Sequence, residues 1–173
     1  MVQISEKMAL GLTGEEFEMV RDSFVELDTD GDRYISYQEL KYHLRSLSKE
    51  IVDFYMKILD ISSNGVIDFP EFLEMYAYLT LHKKPNKTQM KQMFKALDKD
   101  NNGYISASEI KTACKMFSFD KSNEAVESKV DNIITSMDTN GDGRIDPNEF
   151  IDNYSIMEES DIFDIWIRNI LIC

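Results

Sequence analysis

The sequence predicts an all-α fold: two lobes, each a pair of helix–loop–helix units whose loops meet in a short two-stranded β ladder, followed by a C-terminal helix. Three observations lead there. A twelve-residue pattern occurs four times, as Asp28–Glu39, Asp60–Glu71, Asp98–Glu109 and Asp138–Glu149. Each copy opens with Asp, closes with Glu, has Ile at position eight (Ile35, Ile67, Ile105, Ile145) and is followed by an apolar residue (Leu40, Phe72, Ile110, Phe150). Each is preceded by an apolar stripe at three- and four-residue spacing, the signature of an amphipathic helix. Helices flanking four loops use nearly all of the 173 residues, leaving no stretch for a separate catalytic domain.

The first helix opens on a capping box of Thr13 with Glu16, braced by Leu12 with Phe17 as a hydrophobic staple. Val20, Phe24 and Leu27 share its core face. The helix entering loop two carries Val52, Met56 and Leu59 behind an expected N-cap at Ser48. The third entering helix carries Met90, Phe94 and Leu97 behind Thr88, and the fourth carries Val130, Ile134 and Met137. Loop starts at 28, 60, 98 and 138 give spacings of 32, 38 and 40. The first spacing forces a very short turn around Leu47-Ser48, and the surplus in the third falls in the polar stretch Ser118–Asn123.

Pairing follows from burial. A lone helix–loop–helix cannot hide its apolar stripe, whereas two face to face can, with the Ile residues placed to form the ladder. Residues 1–80 are expected to form the N-terminal pair and 88–157 the C-terminal pair, with 81–87 (LHKKPNK) as linker. Pro85 interrupts the helix there, because it fixes its own φ and pushes the preceding residue out of the helical region. Residues 158–173 read as an amphipathic tail helix capped by Ser160, with Phe163, Trp166, Ile167, Ile170 and Leu171 on one face. The tail is expected to pack on its own protein. A ligand held in the protein's own groove, a homodimer contact and a membrane-surface helix are the alternatives.

Each loop has the chemistry of an EF-hand. Short oxygen-bearing side chains at positions one, three and five reach a hard cation, position seven gives its carbonyl, position nine often acts through water, and Glu at twelve binds with both oxygens. The net charge of −13 has a local cause, since fourteen acids lie in these loops; four Ca²⁺ would bring it to −5. That acidity excludes nucleic-acid binding through a basic face. Two cysteines, Cys114 and Cys173, are too few for a disulfide framework, and Cys114 reads as a buried thiol. No apolar run reaches the eighteen residues of an integral membrane segment. No export signal is read, so the expected location is cytoplasmic. His82 reads as a solvated linker residue, and His43 as packed or partly exposed.

The stretches LTGEEFEMVRDSFVELDTDGD, IDFPEFLEMYA and ALDKDNNGYISASEI resemble calmodulin, and roughly residues 12 to 157 are similar to the calmodulin and troponin C superfamily. The short first and long third spacings also resemble calcineurin B and its relatives. The resemblance implies Ca²⁺ at up to four sites, with Mg²⁺ as a competitor. For loop one it implies Asp28, Asp30, Asp32, the Tyr34 carbonyl, Ser36 and Glu39. Loop two would use Asp60, Ser62, Asn64, the Val66 carbonyl, Asp68 and Glu71. Loop three would use Asp98, Asp100, Asn102, the Tyr104 carbonyl, Ser106 and Glu109. Loop four would use Asp138, Asn140, Asp142, the Arg144 carbonyl, Asp146 and Glu149. Gly65, Gly103 and Gly143 hold position six, but loop one has Arg33 there, where a positive φ disfavours a Cβ by about 1–2 kcal/mol.

Three classes of function compete: a calcium sensor, a calcium buffer, and an enzyme-like or light-emitting calcium protein. A calcium sensor opens apolar grooves to an amphipathic helix of a target protein, or to its own tail. Ten Met residues suit it. Met56, Met90 and Met137 lie on core faces, while Met75, Met116 and Met157 are groove candidates. A buffer binds without opening, and a calcineurin B-like regulatory subunit is a third form of the binding reading. An enzyme is discounted, because no nucleophile–base constellation and no phosphate-cradling loop is present. The reading taken is the sensor, and not an enzyme.

Overall fold

A computed structural model describes residues 11–81, 85–117 and 122–153. The expected tail helix, Met157 and most of the polar stretch after Phe117 lie outside the described residues. The chain divides into two compact units, Met1–Lys84 and Pro85–Cys173.

In unit one, α1 (Gly14–Leu27) leads through loop one and β1 (Tyr34–Ser36) into α2 (Tyr37–His43). Then α3 (Lys49–Leu59) leads through loop two and β2 (Val66–Asp68) into α4 (Phe69–Leu81). Unit two repeats the plan with α5 (Lys87–Leu97), β3 (Ile105–Ser106), α6 (Ala107–Phe117), α7 (Asn123–Met137), β4 (Arg144–Ile145) and α8 (Pro147–Asp152).

The ladders are antiparallel, and the position-eight isoleucines face each other: Ile35 opposite Ile67 and Ile105 opposite Ile145. All four are essentially without solvent contact, so each ladder is anchored by a buried β-branched pair, the type that packs best across strands. Around it, α1 packs on α4 through Phe17 and Phe24 against Phe69, edge to face at 5.8 and 5.3 Å, with Phe72 against Phe24 at 5.5 Å. In unit two α5 meets α8 through Phe94 and Phe150, 5.7 Å apart. Tyr37 ties α2 to α3 by donating its hydroxyl to Asp53 at 2.7 Å. No helix among the described residues is long and apolar enough to cross a membrane.

The capping box of Thr13 with Glu16 is present. Ser48 stands at the N-cap of α3 but makes no side-chain cap bond. Thr88 does not cap α5. Asn86 does, accepting from the N–H groups of Thr88 and Gln89 while Gln89 reaches back to the Asn86 N–H. An acceptor on the residue just before the helix is better placed for those first N–H groups than one already in the first turn. The core faces are also rotated slightly. Leu27, Met56, Met90 and Ile134 are only half-buried, and Tyr55, Ile58, Met93 and Ile133 are buried instead. Met75, a groove candidate by sequence, is fully buried in unit one, and Cys114 is buried as expected. His43 is half-buried, with its Nε2 lacking a hydrogen-bond partner among the described residues.

Candidate metal centres

The four loops share one wiring diagram in which acidic side chains are held by the loop's own N–H groups. The first Asp accepts from the position-six N–H: Asp28 from Arg33 at 3.0 Å, Asp60 from Gly65 at 2.8 Å, Asp98 from Gly103 at 2.9 Å and Asp138 from Gly143 at 2.8 Å. Position five accepts from position seven: Asp32 from Tyr34, Asn64 from Val66, Asn102 from Tyr104 and Asp142 from Arg144, all between 2.8 and 3.1 Å. At position three, Asp30, Asp100 and Asn140 accept from the N–H two residues on. These bonds aim the side-chain oxygens into the loop's interior and fix their rotamers.

Position seven, whose carbonyl completes an EF-hand set, stands at the start of each ladder. Tyr34, Val66 and Arg144 are the first residues of their strands, and Tyr104 immediately precedes β3.

The closing Glu is the most constrained group. Glu39, Glu71, Glu109 and Glu149 are only 8, 8, 8 and 5% exposed. One oxygen of each accepts from the position-nine N–H: Ser36 at 2.8 Å, Asp68 at 3.0 Å, Ser106 at 2.8 Å and Asp146 at 2.9 Å. The position-nine side chain in turn accepts from the Glu N–H. Positions nine to twelve therefore form a capping box that starts the exiting helix, so one residue serves both the helix and the loop. The other oxygen reaches back to the loop's beginning: Glu39 to the Thr29 N–H and hydroxyl, Glu109 to the Lys99 N–H, and Glu149 to the Thr139 N–H and hydroxyl.

Loop two departs here. Glu71 accepts from the Ser62 N–H, one residue later, while the Ile61 N–H turns to the Leu59 carbonyl. Its neutral Ser62 hydroxyl lies 3.5 Å from Asp60.

Burial pushes the Glu39 carboxyl up, but hydrogen bonds from Ser36 and Thr29 outweigh it and bring it from 4.5 to about 2. In Glu109 burial is likewise outweighed by Ser106, Lys99 and Asp100. In Glu149 the Asp146 N–H leads the lowering. The linkage has a definite sign: a folded-state value below the unfolded one gives stability that is full above the unfolded value and is lost as pH falls towards the folded one. The calcium-free stability difference between the wild type and Glu39→Gln should hence be constant above pH about 5 and shrink between 4.5 and 2. Denaturant titrations at several pH values measure it, and a difference that grows on acidification would contradict this assignment.

Arg33 takes φ +74°, close to the +82 to +88° of Gly65, Gly103 and Gly143 at the same position. The bend is kept despite the Cβ. Position four is bent too, with Gly31, Ser63, Asn101 and Gly141 all at positive φ. Arg33→Gly is expected to tighten loop one by about 1 kcal/mol, roughly fivefold, by removing left-handed strain. A calcium titration followed at the residue 33 amide measures this. An unchanged affinity would mean that the relief appears only as folding stability.

The residues fit a hard cation. In loop one an oxygen from each of Asp28, Asp30 and Asp32 lies within 4.8 Å of the others, and in loop three the same holds for Asp98, Asp100 and Glu109. All donors are oxygens, the set that Ca²⁺ takes. The EF-hand domain pair family matches residues 15–77 and again 87–155, which takes in both units and all four loops.

The chain belongs to the EF-hand family. It is an EF-hand calcium-binding protein with a calmodulin-like plan. Similar proteins include calcium-dependent protein kinase 11 of Oryza sativa subsp. japonica, 33% identical over 155 residues, 84% of this chain and 26% of the relative. Calcium-dependent protein kinase 21 of Arabidopsis thaliana is 31% identical over 83% of the chain and 26% of its own length. Calcium-dependent protein kinase 2 of Zea mays is 32% identical over 83% of the chain and 27% of its own length. The chain spans about a quarter of the length of these relatives.

Proposed function

We propose that this EF-hand chain is a non-catalytic calcium sensor that converts ion binding into exposure of an apolar groove for an amphipathic target helix. The observation that carries this is the double duty of the closing Glu. Glu39, Glu71, Glu109 and Glu149 each cap the helix that leaves the loop. An ion that draws both carboxylate oxygens to itself must also act on the start of that helix, and apolar residues just beyond it (Phe72, Met75, Ile110, Phe150) are buried. Metal capture is thereby coupled to the groove, the arrangement that sensor EF-hands exploit.

The named site residues are the proposed ligands: side-chain oxygens at positions one, three, five and twelve, the carbonyls of Tyr34, Val66, Tyr104 and Arg144, and position nine directly or through water. Loops three and four should bind more tightly than loops one and two, because their sets are complete and Gly holds position six. The relatives are calcium-dependent kinases of which the chain spans only a quarter, which supports a calcium-responsive module rather than the phosphotransfer machinery. Residues 158–173, outside the described residues, carry an amphipathic face that could supply the target helix from the chain itself or a second copy. The cytoplasm is the proposed location.

A buffer is the second reading, favoured by the full burial of Met75, a side chain that an open groove would display. The two part in a hydrophobic-dye titration with and without Ca²⁺, because only a sensor gains apolar surface on binding.

A further inference from the structure

Beyond the ladder itself, a cation–ring contact joins the two loops of unit two. Arg144 and Tyr104 both hold position seven. The Arg144 guanidinium lies over the Tyr104 ring, 4.1 Å from its centroid. Its Nε donates to Asp142 Oδ2 at 3.3 Å, while its backbone N–H donates to Asp142 Oδ1 at 3.1 Å. One residue therefore grips loop three through a ring and loop four through a proposed ligand. The ladder behind it is minimal, two residues per strand, with Ser106 opposite Arg144. In unit one the equivalent residues are Tyr34 and Val66, neither of them a cation. Among the described residues the other cation over a ring is Arg45 on Tyr42, near the end of α2.

We propose that Tyr104 and Arg144 form a clamp that couples calcium binding at loop three to calcium binding at loop four. The inference rests on the reading that both loops bind Ca²⁺. An ion in loop three would fix the Tyr104 carbonyl and with it the backbone that carries the ring. A fixed ring holds the guanidinium, which in turn holds Asp142 and the strand whose first carbonyl, that of Arg144, belongs to loop four. The coupling is reciprocal, since each ion changes the affinity for the other by the same factor. A partly exposed cation–ring contact is worth roughly a two- to fivefold change in such a factor. The clamp also predicts weaker coupling between loops one and two.

The test is a calcium titration of the full chain followed by NMR at the Gly103 and Gly143 amides. Their N–H groups bond to Asp98 and Asp138 and so report the filling of each loop. Arg144→Met and Tyr104→Leu both leave the position-seven carbonyl in place. Each should lower the coupling factor between the loops about two- to fivefold, and the double variant should lower it no further than either alone. A factor unchanged in either single variant, or losses that simply add in the double variant, would overturn the clamp but not the reading that both loops bind Ca²⁺. A wild type in which Gly103 or Gly143 fails to respond to Ca²⁺ would overturn the clamp and the binding reading together.

Discussion

Glu149→Gln should remove one calcium ion from the binding stoichiometry, or weaken that site by at least about 100-fold, while the calcium-free chain stays folded. Loss of a group that merely orients a ligand typically costs 10- to 100-fold, and Glu149 is proposed to bind the ion with both of its own oxygens. The structure adds a second reason. One Glu149 oxygen faces the N–H groups of Thr139 and Asn140, and the other faces the N–H of Asp146. A Gln amide can offer an acceptor to only one side, and its NH₂ meets a donor on the other. Each lost bond costs about 1 kcal/mol net, too little to unfold the unit. Calorimetry on the full chain decides it, and unchanged stoichiometry at unchanged affinity would show that loop four is misread.

Phe150→Ala should destabilise unit two by about 3–5 kcal/mol, the usual cost of deleting a buried aromatic side chain. Phe150 follows the closing Glu of loop four, has no solvent contact and packs edge to face on Phe94. A unit this small holds only a few kcal/mol in reserve, so the calcium-free variant should lose folded unit two while unit one persists. Saturating Ca²⁺ should restore it, because an ion that binds the folded form adds its binding free energy to stability. Urea unfolding followed at Gly103 and Gly143 for unit two and at Gly65 for unit one separates the units. A loss below about 1 kcal/mol would place Phe150 outside the core that the structure assigns to it.

The ladder pairs were legible in the sequence because Ile at position eight recurs in all four loops and a buried two-stranded pair needs such residues. A helix start after Pro85 was legible because proline fixes its own φ and disfavours a helical residue before it. The cap on α5 was misassigned because Thr88 and Asn86 are both good capping types. The deciding signal lay in the letters, since Asn86 stands three residues before Gln89 at capping-box spacing, and the structure forms that box. The capping role of the closing Glu was also present in the letters, as Ser-x-x-Glu or Asp-x-x-Glu in every loop, but the metal-ligand pattern occupies the same residues and hid it.

The position-four bend had a signal in Gly31, Gly141 and Asn101, types that tolerate positive φ. At Ser63 it had none. Helix faces were placed to within one step, so Tyr55 and Ile58 rather than Met56 reach the core. For Met75 the letters could not decide, because the groove of a sensor and the core of a closed lobe are the same surface.

The central claim, that Ca²⁺ binding opens an apolar groove, is tested most directly by the fluorescence of a hydrophobic dye titrated against Ca²⁺ at constant ionic strength, with Mg²⁺ alone as the control. The sensor account predicts that dye binding rises with calcium in step with loop filling, and that Glu109→Gln and Glu149→Gln together suppress the rise from unit two. Full occupancy of the loops with no gain in dye binding would contradict it and leave the chain a buffer.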